Sequence, residues 1–236
     1  MPVNTLNELE EELARLSQSD AAIEVIEAFC AGLANTNERI AVFNAERALV
    51  RTPIRPEETQ ALGFNQPEDD FVLLQGDIVS TESAFFLGER VTGSPKYSVL
   101  SSSCDVVPER RQCAALLRVT EIRKSEPDVS SKLNLLLKFK RRDSMYLPAL
   151  TVDSDDVVCN VVQFDGVCQI RSSDLLLARR IASLSLVGWR IFASFSRMVI
   201  ARANPRESRM RSAVEKQPEQ QSLELSAEPG ELERRP

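Results

Sequence analysis

Residues 71–101 read FVLLQGDIVSTESAFFLGERVTGSPKYSVLS. Short runs of β-branched and aromatic residues, Phe71–Leu74, Ile78–Thr81, Ala84–Leu87 and Tyr97–Ser101, are broken by Gly76-Asp77, Gly88, Gly93 and Pro95. This is the punctuation of strands and tight turns, without the three-and-four spacing of an amphipathic helix. The same texture continues downstream in Ala114–Arg123, Leu133–Lys140, Met145–Leu147 and Val157–Phe164. Strands that follow one another without intervening helices predict a small antiparallel barrel or sandwich. If Leu133–Lys140 is extended, Lys132, Lys138 and Lys140 share one face, with Arg141 and Arg142 in the turn beyond.

Upstream the pattern is helical. Thr5-Leu6-Asn7-Glu8 has the form of a capping box, and Leu6, Leu9, Leu13 and Leu16 follow as a narrow apolar stripe. Asp20 is placed to cap a second helix carrying Ile23, Ile26, Cys30 and Leu33. Asn35-Thr36-Asn37-Glu38 offers another capping box, opening a third helix with Ile40, Phe43 and Leu49. Pro53 and Pro56 end the helical section. A narrow stripe packs within its own chain or against a partner helix. Downstream, Ser172-Ser173-Asp174 caps a short helix with Leu175, Leu176, Ile181 and Leu184. Ser185 caps a last helix bearing Trp189, Phe192, Phe195 and Val199, whose aromatics are read as core. The expected organisation is an acidic helical arm over 1–56, a barrel domain with closing helices over 70–204, and a polar tail over 205–236 expected to be disordered.

Charge is unevenly spread along the 236 residues. The net charge of −6 hides a leader, residues 1–70, with 14 acidic and 5 basic side chains, and a centre, residues 101–150, with 6 acidic and 10 basic. A basic centre can meet a polyanion, and an acidic leader can cover it. Histidine is absent, so the chain alone holds no His general base, no Ser-His-Asp or Cys-His pair and no Cys/His zinc site. Five cysteines, Cys30, Cys104, Cys113, Cys159 and Cys168, with no secretory signal, fit a reducing compartment, and cytoplasmic localisation is expected. The eight residues between Cys104 and Cys113, and between Cys159 and Cys168, are not zinc-site spacing, so buried apolar thiols are expected, including a strand-end Cys104 followed by Asp105 in a turn. No membrane segment, metal or cofactor is expected.

Read in order, Gln75-Gly76-Asp77-Ile78-Val79, Gly88-Glu89-Arg90, Pro95-Lys96 before Tyr97-Ser98-Val99-Leu100-Ser101, Arg118-Val119-Thr120, and Gln169-Ile170-Arg171-Ser172-Ser173-Asp174 form a series. Over residues 75–200 that series resembles the PemK/MazF family of toxin endoribonucleases. The resemblance implies an α+β fold built on a small antiparallel SH3-like β-barrel, with an N-terminal helical arm and C-terminal helices. It implies RNA as the substrate class, metal-independent cleavage of toxin–antitoxin or phage-defence type, and a homodimer.

By the same resemblance, Arg90, Thr120 and Asp165 are the candidate catalytic residues. Attack by an RNA 2′-hydroxyl needs proton transfer and a cation on the developing phosphorane, which a carboxylate, a hydroxyl and a guanidinium provide. Lys96, Lys138, Lys140, Arg141 and Arg171 are the candidate substrate-binding residues. The contrasting expectation is a non-catalytic protein-binding or regulatory module on the same barrel, engaging a partner through the N-terminal helices.

Overall fold

The computed structural model describes residues 3–16, 19–63, 73–93, 95–107, 110–200 and 205–215. The leader comprises helices α1 (Leu6–Arg15), α2 (Ala21–Gly32) and α3 (Thr36–Phe43), strand β1 (Val50–Arg51) and helix α4 (Pro56–Ala61). The strand-rich centre holds β2 (Ile78–Ser80), β3 (Phe85–Phe86), β4 (Glu89–Arg90), β5 (Lys96–Val99), β6 (Cys113–Arg123), α5 (Val129–Leu136), β7 (Ser144–Pro148) and β8 (Val157–Arg171). Then come α6 (Ser172–Leu176), β9 (Arg179–Leu184), α7 (Leu186–Ile200) and α8 (Pro205–Glu215).

The first capping box forms in full: the Glu8 amide donates to Thr5 Oγ1 and the Thr5 amide to the Glu8 carboxylate, both at 3.2 Å. The second forms by half. Asn35 Oδ1 accepts from the Glu38 amide at 3.0 Å, but the Glu38 carboxylate reaches one residue further back, to the Ala34 amide. Asp20 stands at the N-cap of α2, where its side chain makes no cap bond; it pairs with Arg197 at 3.3 Å instead. Pro56 opens a helix rather than closing one, since proline at N1 forfeits no hydrogen bond and brings a helical φ.

The stripe of α1 is spent inside the chain. Leu9 and Leu13 are buried in one apolar core with Ile23, Ile26 and Phe29 of α2, Phe192 and Phe195 of α7, and Val162 and Phe164 of β8. The leader therefore shares the core of the sheet and does not stand off as an arm, and residues 1–200 form one unit. Aromatic rings run through this core as Phe29, Phe43, Phe139, Phe195 and Phe164, with neighbouring centroids 5.3–6.2 Å apart. Each such contact adds about 0.5–1.5 kcal/mol to the area buried. Helix α7 starts at Ser185, whose hydroxyl accepts from the Gly188 amide at 3.0 Å and donates to Ala48 O at 2.7 Å.

The nine strands of the described residues join one antiparallel sheet in the order β1-β9-β2-β5-β6-β8-β3-β4, with β7 also on β8. The α+β class and the flanking helices are as expected; closure into a barrel is not. The sheet path ends at β1 and β4, which do not pair with each other. One expected stave, Leu133–Lys140, is missing because the segment turns helical in α5 and the turn after it. Leu133, Leu136 and Leu137 are all buried, a helical spacing that competes with strand alternation in the same letters. Ile181 and Leu184, read as helical, belong to strand β9, which runs between β1 and β2.

A smaller second core lies on the opposite face of the central strands. Ile78 and Leu117 enter the first core, while their chain neighbours Val79 and Leu116 enter the second, with Tyr97, Val99 and Ile170. No described helix is long and apolar enough to cross a membrane. Pro205–Glu215, in a separate unit, is a helix exposed over residues 206–213, with an Arg211–Glu207 pair at 2.6 Å, within the stretch expected to be disordered; residues 216–236 lie outside the described residues.

Candidate nucleic-acid interface

Strand β8 is buried on alternate residues over its second half. Gly166, Cys168 and Ile170 are buried, while Asp165, Val167, Gln169 and Arg171 are exposed. Register then places neighbours on this open face. Phe85 stands opposite both Gln169 of β8 and Arg90 of β4, Ala115 of β6 opposite Gln169, and Cys113 opposite Arg171. Directly opposed residues point the same way from a sheet, as do residues two apart. Phe85, Arg90, Gln169, Arg171 and Cys113 therefore share one face. Together with Ser83 and Asp174 they line a cleft of about 480 Å³.

The β3–β4 hairpin positions this edge through a two-residue turn, Leu87-Gly88, with φ of +52° and +83°. Positive φ at both positions is the turn geometry that matches strand twist. The Phe85 side of β3 is open, with Phe85 51% exposed. The next residue, Phe86, turns to the other side and packs under the Arg118 guanidinium, 4.8 Å from its ring centroid. The Arg90 Nε donates to the Glu82 carbonyl at 2.5 Å, which fixes the base of its guanidinium. Arg171 makes no ion pair among the described residues. An exposed ring between two guanidiniums has the components of a nucleotide platform: a flat surface for a base and two cations for phosphate.

Arg90 and Arg171 are thus brought together, while Thr120 and Asp165 join neither. Ala115 and Thr120 are five residues apart on β6, which is about 16 Å along a strand, and Arg90 is a further three strands across from β6. Thr120 Oγ1 accepts from Gln163 Nε2 at 3.0 Å. Asp165 sits in a wide bulge: Leu117 pairs with Val167 but Arg118 pairs with Gln163, leaving Phe164, Asp165 and Gly166 outside the ladder. The bulge sends Phe164 into the main core and Asp165 out towards Arg141, whose guanidinium is held charged chiefly by Asp143 and to a lesser degree by Asp165. The expected catalytic trio does not share a surface.

The candidate binding lysines are also redistributed. Lys96 is 8% exposed, with Nζ paired to Asp153 and, at 2.7 Å, to Glu121. Asp153 further accepts from Asn160 Nδ2 at 2.6 Å and the Leu150 amide at 2.7 Å. Burial works against the Asp153 charge, yet Lys96 and these hydrogen bonds hold its carboxyl below the usual range; Lys96 does the same for Glu121. This lysine is a structural cation. Lys138 and Lys140 follow α5, half-buried and exposed respectively, and do not lie on a strand.

Cys30, Cys159 and Cys168 are buried, as expected of all five thiols, but Cys104 and Cys113 are exposed. Around Cys104 the chain makes a solvent-facing turn rather than a strand end. Phe85 and Cys113 had no motif to mark them, while Gln169 opened the Gln169-Ile170-Arg171 motif. The signal for this face is alternation, which runs from Asp165 through Arg171 on β8. No three His, Cys, Asp or Glu side chains gather to hold a metal ion among the described residues. No family model matches the chain, and no curated protein matches it.

Proposed function

We propose that this protein is RNA-directed and binds a single-stranded segment across the open face of its sheet. Phe85 is the stacking platform, and Arg90 and Arg171 hold phosphates on either side of it. The observation that carries this reading is the exposed phenyl ring flanked on one sheet face by two guanidiniums. Unpaired bases offer the flat face such a ring accepts, whereas stacked duplex bases do not. An opened SH3-like barrel of PemK/MazF descent is the ancestry this reading supposes. Its support is the run of antiparallel neighbours β2, β5, β6 and β8, with Gln169-Ile170-Arg171 at the binding face. The same ancestry supposes a homodimer.

The geometry favours binding without cleavage by the expected trio, because Thr120 lies far along β6 from the Arg90 cleft. That observation supports the non-catalytic alternative with RNA, rather than a protein, as its partner. The test is fluorescence anisotropy of labelled single- and double-stranded RNA of one sequence with the full chain at low salt. Single strands bind more tightly, remain intact, and lose about 1–3 kcal/mol of affinity in Phe85→Ala. Failure to bind any RNA at low salt, or equal binding by Phe85→Ala, rejects the proposal.

A further inference from the structure

A second cleft, of about 530 Å³, shares no residue with the sheet-face cleft and is mainly apolar. Ile54, Leu74, Leu184 and Leu186 line it, with Trp189 at one wall and Ser102, Ser103 and Cys104 at another. Its polar groups are few and fixed. Gln75 ties the walls together: its amide donates to Ser103 Oγ at 2.9 Å, its Nε2 to Leu100 O at 2.9 Å, and its Oε1 accepts from Trp189 Nε1 at 3.2 Å. The indole is held in place by this bond and by Arg190, whose guanidinium carbon lies 5.7 Å from the ring centroid.

Asp77, fully buried, also lines this cleft. Its Oδ2 is satisfied by the Leu74 amide at 2.8 Å and Arg180 Nη2 at 2.6 Å. Its Oδ1 is buried without a well-formed hydrogen bond, the Ser183 side chain lending the carboxyl some further support. A buried acceptor left empty costs about 1–3 kcal/mol, which a ligand donor recovers on binding. Arg180 offsets the carboxylate charge only in part, and Arg51, paired with Glu58 at 2.8 Å, also lines the cleft, so the site suits a neutral N–H donor and not a cation. Ser103, whose oxygen accepts from Gln75, still has a hydroxyl proton to give to a ligand acceptor. A drug-sized, mostly apolar cleft with an indole wall and a few converging polar groups is the usual form of a site for a flat heterocycle.

We infer that this cleft binds a neutral planar heterocycle of nucleobase type, with its ring against Trp189, an N–H edge on Asp77 and a ring acceptor on Ser103. The inference stands on different residues from the RNA reading and does not depend on it. The occupant is either a free nucleoside or one base of a longer strand, and the chemistry of recognition is the same.

The test uses the full chain and four probes: adenosine, guanosine, cytidine and uridine. Trp189 is the only tryptophan, but it also borders a neighbouring cleft lined by Leu13 and Arg197, so quenching counts for this cleft only together with protection of Cys104, which lines this cleft and not that one. At least one nucleoside produces saturable quenching and slows maleimide labelling of Cys104. Ser102→Phe, a surface change that fills the mouth without touching the Asp77–Arg180 pair, raises Kd by about tenfold or more. Asp77→Asn, where it folds, weakens binding similarly. A short oligonucleotide that quenches Trp189 more strongly than its nucleoside identifies the strand as the source. The inference is overturned if no nucleoside gives saturable quenching, or if binding is unchanged in Ser102→Phe.

Discussion

Arg90 and Arg171 lie on the same face of the sheet, joined through a single row: Arg90 opposite Phe85, Phe85 opposite Gln169, and Arg171 two residues beyond Gln169 on β8. Neither depends on the other for its position. Arg90 is set by the Leu87-Gly88 turn and Arg171 by the long β6–β8 ladder. Two cations brought together by separate elements make a site whose electrostatics can be altered at the surface without disturbing the core.

The cysteines provide a direct map of the two clefts. Burial pushes Cys30 and Cys159 up to about 12 and Cys168 up to about 11, while Cys104 and Cys113 are exposed. Native protein therefore titrates two thiols rapidly with a thiol reagent and the denatured chain titrates five. Single-stranded RNA slows the labelling of Cys113, which lines the sheet-face cleft. Protection of neither thiol by RNA counts against the proposed binding face.

Gly188 fixes the approach of α7 to the β1 segment. A Cβ there would sit 2.2 Å from the Leu49 carbonyl oxygen, which already accepts from the Ser185 amide at 2.9 Å. Alanine is the better helix former, but here it must displace backbone. Gly188→Ala is expected to lower stability by about 1–3 kcal/mol, read as a lower urea midpoint. An unchanged midpoint would mean that α7 sits further from Leu49.

Lys96 links stability to pH. Replacing it by methionine leaves Asp153, 2% exposed at its side chain, without its cation, while Glu121 keeps Arg123. Breaking a buried pair in this way costs about 3–5 kcal/mol. In the wild type both carboxyls are held below their ordinary values, so they stabilise the fold above about pH 4 and that contribution fades as pH falls further. Lys96→Met flattens this part of the acid limb as well as lowering the plateau. Urea melts at several pH values check both; parallel acid limbs would show that Lys96 does not set them.

The elements that could be read from the chain are those whose signals are local. Thr5 and Glu8 are three residues apart and their reciprocal bonds form as read. Ile78–Ser80, Lys96–Val99 and Cys113–Arg123 are bounded by glycine, proline or polar turns that break any helix. In Leu133–Lys140 leucines spaced for both periods leave the choice to tertiary contacts, and in Arg179–Leu184 the three-residue step from Ile181 to Leu184 fits a helix although the segment pairs as a strand. The site was legible only in part. Arg90 and Arg171 carried motif signals, but the Phe85–Gln169 pairing that unites them is a matter of register across 84 positions of sequence. Lys96 read as a surface cation because its partner Asp153 is 57 residues away.

The account rests most heavily on Arg90 and Arg171 acting together on a polyanion, and the salt dependence of RNA affinity measures that directly. Each phosphate contact on a single strand contributes about 0.7 to the slope of log affinity against log salt. The Arg90→Ala/Arg171→Ala double variant is predicted to fold normally, bind RNA more weakly and show a slope shallower by about 1.4. A double variant with the wild-type slope and affinity would contradict the assignment of this face to RNA.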